Sequence, residues 1–174
     1  MKAALRFSLA TLLWVAALAA PSAAAAAPVS TNFTIVGYEY AFTSTAGSFA
    51  GRGNGTAGDT ALWNARVQHD PLGSKPTYVN GGSFAMATAS PSDSLDFVKG
   101  TFAHHGGTIT TLNAGANCTN QQYGVSDSLQ NVATSTTSGG SGSFAVTLTH
   151  YRYSLFGRCV IYKARVSGSV SFSY

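Results

Sequence analysis

Residues 143–174, SFAVTLTHYRYSLFGRCVIYKARVSGSVSFSY, decide the fold. In the first arm Phe144, Val146, Leu148 and His150 share one face, with Ser143, Ala145, Thr147, Thr149 and Tyr151 on the other. In the second arm Val160, Tyr162, Ala164, Val166, Gly168, Val170, Phe172 and Tyr174 alternate with Ile161, Lys163, Arg165 and a run of serines. Successive Cβ atoms of a strand point to opposite sides of a sheet, so a period of two sustained this long predicts two half-buried strands. Gly157, within residues 153–158, marks the hairpin connection between them.

The same period runs back through the chain. Residues 31–43 alternate, with Val36, Tyr38, Tyr40 and Phe42 on one face and Glu39 on the opposite face beside Gly37 and Ala41. Residues 47–58 are glycine-rich and read as a kinked strand or a long connection. Residues 60–69 alternate again, with Ala61, Trp63, Ala65 and Val67 in one row, and Asp70-Pro71-Leu72-Gly73 is a turn. Strands are expected over 77–88, 95–104, 108–112 and 122–132, with a turn at Ser90-Pro91-Ser92-Asp93 and a bend at Gly106-Gly107. Residues 113–120 form a loop, and 135–143 a flexible Ser/Thr/Gly linker. No helix is expected beyond the leader. About eight mostly antiparallel strands with short turns predict an all-β fold, a closed or nearly closed β-barrel, with a β-sandwich as the alternative. The aromatic side chains Tyr38, Tyr40, Phe42, Trp63, Phe84, Phe102, Phe144, Tyr162, Phe172 and Tyr174 are read first of all as core.

Residues 1–27 read as a signal peptide. Lys2 and Arg6 precede an apolar run of about 14 residues, shorter than the roughly 20 that span a bilayer, and alanines supply a cleavage site near Ala25 or Ala27. Residues 28–174 are then one secreted domain, with no membrane span in the mature chain. Only 9% of the chain is charged, and removal of Lys2 and Arg6 takes the formal charge from +4 to +2. The cations Arg52, Arg66, Lys75, Lys99, Arg152, Arg158, Lys163 and Arg165 are scattered, with a modest cluster around the C-terminal hairpin, which argues against nucleic-acid binding. Oligomeric state is not encoded in any pattern. Asn32, Asn54 and Asn117 head glycosylation sequons, which matter only in a host that glycosylates.

Cys118 and Cys159 are the only cysteines, and in an oxidising compartment they form one disulfide. Closing a loop of about 41 residues is worth roughly 4 kcal/mol in the chain-entropy account.

Motifs that carry chemistry are sparse. Gly53-Asn54-Gly55-Thr56-Ala57-Gly58 has dinucleotide-loop spacing but leads into a strand rather than a helix N-terminus, so a glycine bend is the better account. No GxSxG elbow occurs. Of the six carboxylates only Glu39 and Asp127 fall in strands, and nothing in the sequence brings them together for glycoside hydrolysis. Three titratable side chains, His104, Asp127 and His150, occupy otherwise apolar faces, as an acid/base set in a barrel interior or as satisfied polar core groups. Their spacing defines no metal site, and no cofactor is expected. Tyr151 and Tyr153, flanked by Arg152 and Arg158, offer a carbohydrate or surface contact.

Three functions follow as expectations. The first is a secreted, non-catalytic barrel that binds a small, mainly apolar ligand or acts at the cell surface. The second is a small barrel enzyme of isomerase, cyclase or lyase type. The third is a structural envelope or matrix protein.

Overall fold

In the computed structural model, which describes residues 30–91 and 95–174, the C-terminal stretch of period two forms the longest hairpin of the protein. The expected signal segment lies outside the described residues. In chain order the strands are β1 (Ser30–Phe42), β2 (Ala46–Gly55), β3 (Thr60–His69), β4 (Thr77–Ala89), β5 (Leu95–Phe102), β6 (Thr108–Asn113), β7 (Gln121–Ala133), β8 (Gly140–Leu155) and β9 (Arg158–Ser173). A 3-10 turn, Ala116–Cys118, precedes β7.

All the pairings between these strands are antiparallel, and the sheet closes on itself. β1 pairs with β2 and β9, β3 with β4, and β7 with β8, giving an eight-stranded barrel with one extra strand. That closure removes the sandwich alternative. The extra strand comes from one broken position between β4 and β7. β5 fills its first half, pairing Phe102 with Leu129, and β6 fills the second, pairing Thr108 with Ser126. Ala103 to Gly107 loops out between them, close against Asp127: a Cβ on Gly107 would overlap the Ser126 carbonyl and come within 2.5 Å of the Asp127 Cα.

Alternation sorts the side chains. Phe33, Ile35, Trp63, Phe84, Met86, Phe102, Leu129, Phe144, Val166 and Phe172 are buried inside, while Ser, Thr and Asn dominate the outward faces of β7, β8 and β9. This is the reverse of the apolar-out, polar-in pattern of barrels that face lipid. Phe144 stands at the centre of the packing, with ring centroids 5.2 Å from Phe102, 6.0 Å from Phe84 and 6.4 Å from Trp63.

Two strands depart from the sequence expectation. On β1 the inward row is Phe33, Ile35, Gly37 and Glu39, so Tyr38 and Tyr40 are exposed, while a bulge after Glu39 brings Phe42 round to the barrel mouth beside His150, where it is 58% exposed. The cause is Gly37. It faces Gly51 across the β1–β2 pair, and a Cβ there would lie 2.9 Å from the Trp63 ring, so the large side chain filling this space comes from β3. The indole Nε1–H is shared between the carbonyls of Val36, at 3.3 Å, and Arg52, at 3.2 Å. For the same reason the glycine-rich stretch is a paired strand, β2, rather than a long connection. On β9 the register slips between the pairs Tyr151–Lys163 and Arg152–Ile161. The extra residue, Tyr162, is turned outward and 62% exposed, not core. The expected linker before β8 is also more ordered than a flexible tether, with Thr134 N–H donating to the Thr137 carbonyl at 3.0 Å.

Candidate functional site

Two regions of the protein carry chemistry: a polar pair inside one end of the barrel, and a basic, aromatic stripe along its outside.

The inner pair is His150 on β8 and Glu39 on β1. His150 Nε2–H donates to Glu39 Oε2 at 2.7 Å, with the two side chains 7% and 4% exposed. β9 lies between β1 and β8, so the contact spans two strand spacings across the inward face, and the aromatic rings of Tyr123 and Phe42 pack against the imidazole at 5.7 and 5.9 Å. A cavity of about 40 Å³ adjoins the pair, lined among others by His69, Leu72, Leu148 and Ile109. His69 Nδ1–H donates to the Asp70 carbonyl at 2.6 Å. That volume has room for a few waters and is too small for an organic substrate. Among the described residues no group of three His, Cys, Asp or Glu side chains is placed to hold a metal ion.

The other sequence candidates lie elsewhere. His104 is exposed on the loop after β5, its Nδ1 3.2 Å from the Asn80 carbonyl and its ring stacked on His105 at 4.1 Å. Asp127 points inward on β7 opposite Phe144, six residues along the strand from the level of His150, or about 20 Å. The three candidates do not converge. Glu39, the partner His150 does find, was hidden because the tyrosines alternating with it imitate a core row.

Asp127 accepts the Ser128 amide at 2.7 Å on Oδ1, while Oδ2 is buried without a hydrogen-bond partner among the described residues. Burial pushes its pKa from 3.8 up to about 6, against the pull of the Ser128 and Ala103 amides. The Ala103 amide is committed to the Ser128 carbonyl at 3.1 Å and contributes only its field. Between about pH 4 and 6 the folded protein holds a proton that the unfolded chain has released, so stability falls as pH rises through that window and the penalty is complete above it. Asp127→Asn keeps the acceptor and removes the charge. Partial solvent screening reduces the effect, so the variant is expected to gain about 1 kcal/mol at pH 8 and nothing at pH 3.5. Urea denaturation at the two pH values checks this, and an equal difference at both would contradict it.

The outer stripe crosses β2, β1, β9 and β8. Register places Arg52 beside Val36, Tyr38 beside Arg165, and Lys163 beside Tyr151, with all six side chains on the outward face. The low residues Gly51 and Ser167 leave a groove of about 650 Å³ between the taller side chains, walled by Tyr38, Tyr151, Arg52, Arg165 and the 71%-exposed Leu62. The Arg165 guanidinium lies 6.0 Å from the centre of the Tyr38 ring, and Lys163 Nζ 5.8 Å from that of Tyr151. Hydrogen bonding and charge from Arg165 hold the Tyr38 hydroxyl below its ordinary value, with Lys163 adding to the effect. Past Lys163 the stripe continues through Tyr162 and Tyr153, whose rings are 5.6 Å apart, to Arg158. Among the described residues no side-chain carboxylate lies on the outward faces of these four strands, since Glu39 is turned inward.

The stripe was legible only in part. Tyr151, Tyr153 and Arg158 fall within eight residues of sequence, but Arg52 and Tyr38 join them only through the β1–β9 pairing. Compared with protein-family models, curated proteins and solved structures, the chain matches none.

Proposed function

We propose that residues 28–174 are a secreted, non-catalytic β-barrel that adheres to a negatively charged surface through the outer faces of β2, β1, β9 and β8. The observation carrying this is the stripe itself: Arg52, Arg158, Lys163 and Arg165, four of the eight cations beyond residue 27, interleaved with tyrosines and free of outward carboxylates. Cations on one face create a potential that attracts a polyanion, and the flat rings of Tyr38 and Tyr151 offer stacking surfaces beside them. The Cys118–Cys159 bridge suits an oxidising compartment. A small apolar molecule held in the interior would require the aromatic centre to part, because Phe84, Phe144 and Phe172 are fully buried there.

Charge reversal tests the proposal. The double variant Lys163→Glu/Arg165→Glu is expected to lose at least about tenfold in affinity for immobilised polygalacturonate, and wild-type retention is expected to fall with added salt. Unchanged retention of the variant would overturn the proposal. Preferential retention on duplex DNA of matched charge would replace it with nucleic-acid binding.

A second reading keeps one observation in its favour: the His150–Glu39 pair beside a cavity has the composition of an acid/base dyad. It would act only if Phe42 and Leu72 moved to admit a substrate.

A further inference from the structure

We infer that the tip of the β8–β9 hairpin inserts into the interface of a bilayer containing anionic lipid. This inference rests on the surface-adhesion proposal and names the surface. β7 pairs with β8 no further than His150, and β1 with β9 no further than Arg165. Beyond them the hairpin runs on for five pairs, from Tyr151–Lys163 to Leu155–Arg158, with no strand among the described residues on either side. One of its faces is braced: Cys159 is bonded to Cys118, and the Arg152 guanidinium donates to the Gly115 carbonyl at 3.1 Å. The other face carries Tyr153, Leu155 and Arg158, and Phe156 stands at the tip, 96% exposed.

The turn itself is the telling feature. Phe156 and Gly157 have φ of 48° and 73°, positive at both central positions of a two-residue hairpin turn. Such turns favour Asn-Gly, because a bulky side chain at positive φ is strained. Here an aromatic side chain occupies the strained position and makes almost no contact with its own protein. Turn chemistry does not account for it, and an apolar wedge on a rigid stalk does. The occupant follows from size and charge. The tip by itself, Phe156 and Leu155, offers far less than the roughly 800 Å² per partner of a stable protein interface, and the side chains behind it are tyrosines and cations rather than further aliphatic residues. The two tip residues suit insertion among lipid chains, while Tyr153 and Tyr162 sit at headgroup depth and Arg158, Lys163 and Arg165 meet anionic headgroups.

The test is co-sedimentation with vesicles of phosphatidylcholine alone or containing one-third phosphatidylglycerol, using the wild type and Phe156→Asn. The asparagine variant suits the turn and is expected to fold with an unchanged or higher Tm. It is expected to lose about tenfold in affinity for the anionic vesicles while keeping its retention on polygalacturonate. Wild-type binding to phosphatidylcholine alone is expected to be much weaker. Equal vesicle binding by the two proteins would overturn the inference, as would vesicle indifference in a wild type that still binds polygalacturonate. Phe156-dependent dimerisation without vesicle binding would assign the tip to a second copy instead. Failure to bind either vesicles or polygalacturonate would sink the adhesion proposal along with it.

Discussion

Glu39→Ala is expected to lower stability by about 3–5 kcal/mol, the largest effect of any single change to a polar side chain in this protein. The alanine removes the only acceptor that His150 Nε2 has among the described residues and leaves the imidazole enclosed by Tyr123, Phe42 and the barrel wall. A lone polar group in that position keeps its desolvation penalty and has lost its compensation. For a domain of this size the loss corresponds to a fall in Tm of about 10 °C. The double variant Glu39→Leu/His150→Leu should recover most of that stability, because both partners of a buried pair can be replaced by apolar groups at little net cost. Thermal melts of the three proteins settle it. A double variant as unstable as Glu39→Ala would mean that the pair does more than satisfy itself, and would favour the acid/base reading.

Phe144→Ala is expected to cost a similar amount, about 3–5 kcal/mol, for a different reason. The ring is fully buried and touches Phe102, Phe84 and Trp63, each on a separate strand. Its removal loses the transfer free energy of the ring and leaves a void that a closed barrel cannot collapse, because its strand spacing is fixed by the ladder. Loss of Tm and of the near-ultraviolet aromatic signal would report it. A cost below about 1 kcal/mol would mean that the centre is loosely packed, and would reopen the interior to a ligand.

These two residues show what the sequence could and could not display. Phe144 belongs to a row of large apolar residues alternating with small polar ones, so its inward orientation follows from periodicity. Glu39 belongs to a row in which Gly37 has no side chain and Glu39 itself is acidic, while Tyr38 and Tyr40 form the more apolar row on the outside and a bulge after Glu39 returns Phe42 to the barrel mouth. Hydrophobic periodicity therefore selects the wrong face of β1. Only the closure of the barrel, with Trp63 paired beside Gly51 and its ring lying against Gly37, identifies the inner one. Tyr162 is misassigned by a different mechanism. A bulge shifts the period by one residue, and no side-chain pattern reveals that before the partner strand is known. The disulfide needed no such context, since two cysteines allow one pairing, and Cys118 and Cys159 are joined with Cα atoms 5.3 Å apart.

The candidate sites follow the same logic. His150 was identifiable as a polar intrusion into an apolar row, and its burial follows from that row. Its partner was not, because the contact reaches across two strand spacings and 111 residues of chain. The outer stripe likewise depends on closure, which sets Arg52 and Tyr38 of the N-terminal strands beside Arg165 and Tyr151 of the C-terminal hairpin.

The most direct test of a protein that works through its outside is a map of where a ligand acts. Amide shifts of the ¹⁵N-labelled protein would be followed during titration with oligogalacturonate. Surface adhesion predicts that the largest changes fall on Tyr38, Arg52, Tyr151, Lys163 and Arg165, with the interior unmoved. Changes centred instead on Glu39, His69, Tyr123 and His150 would place the working site inside the barrel and contradict it.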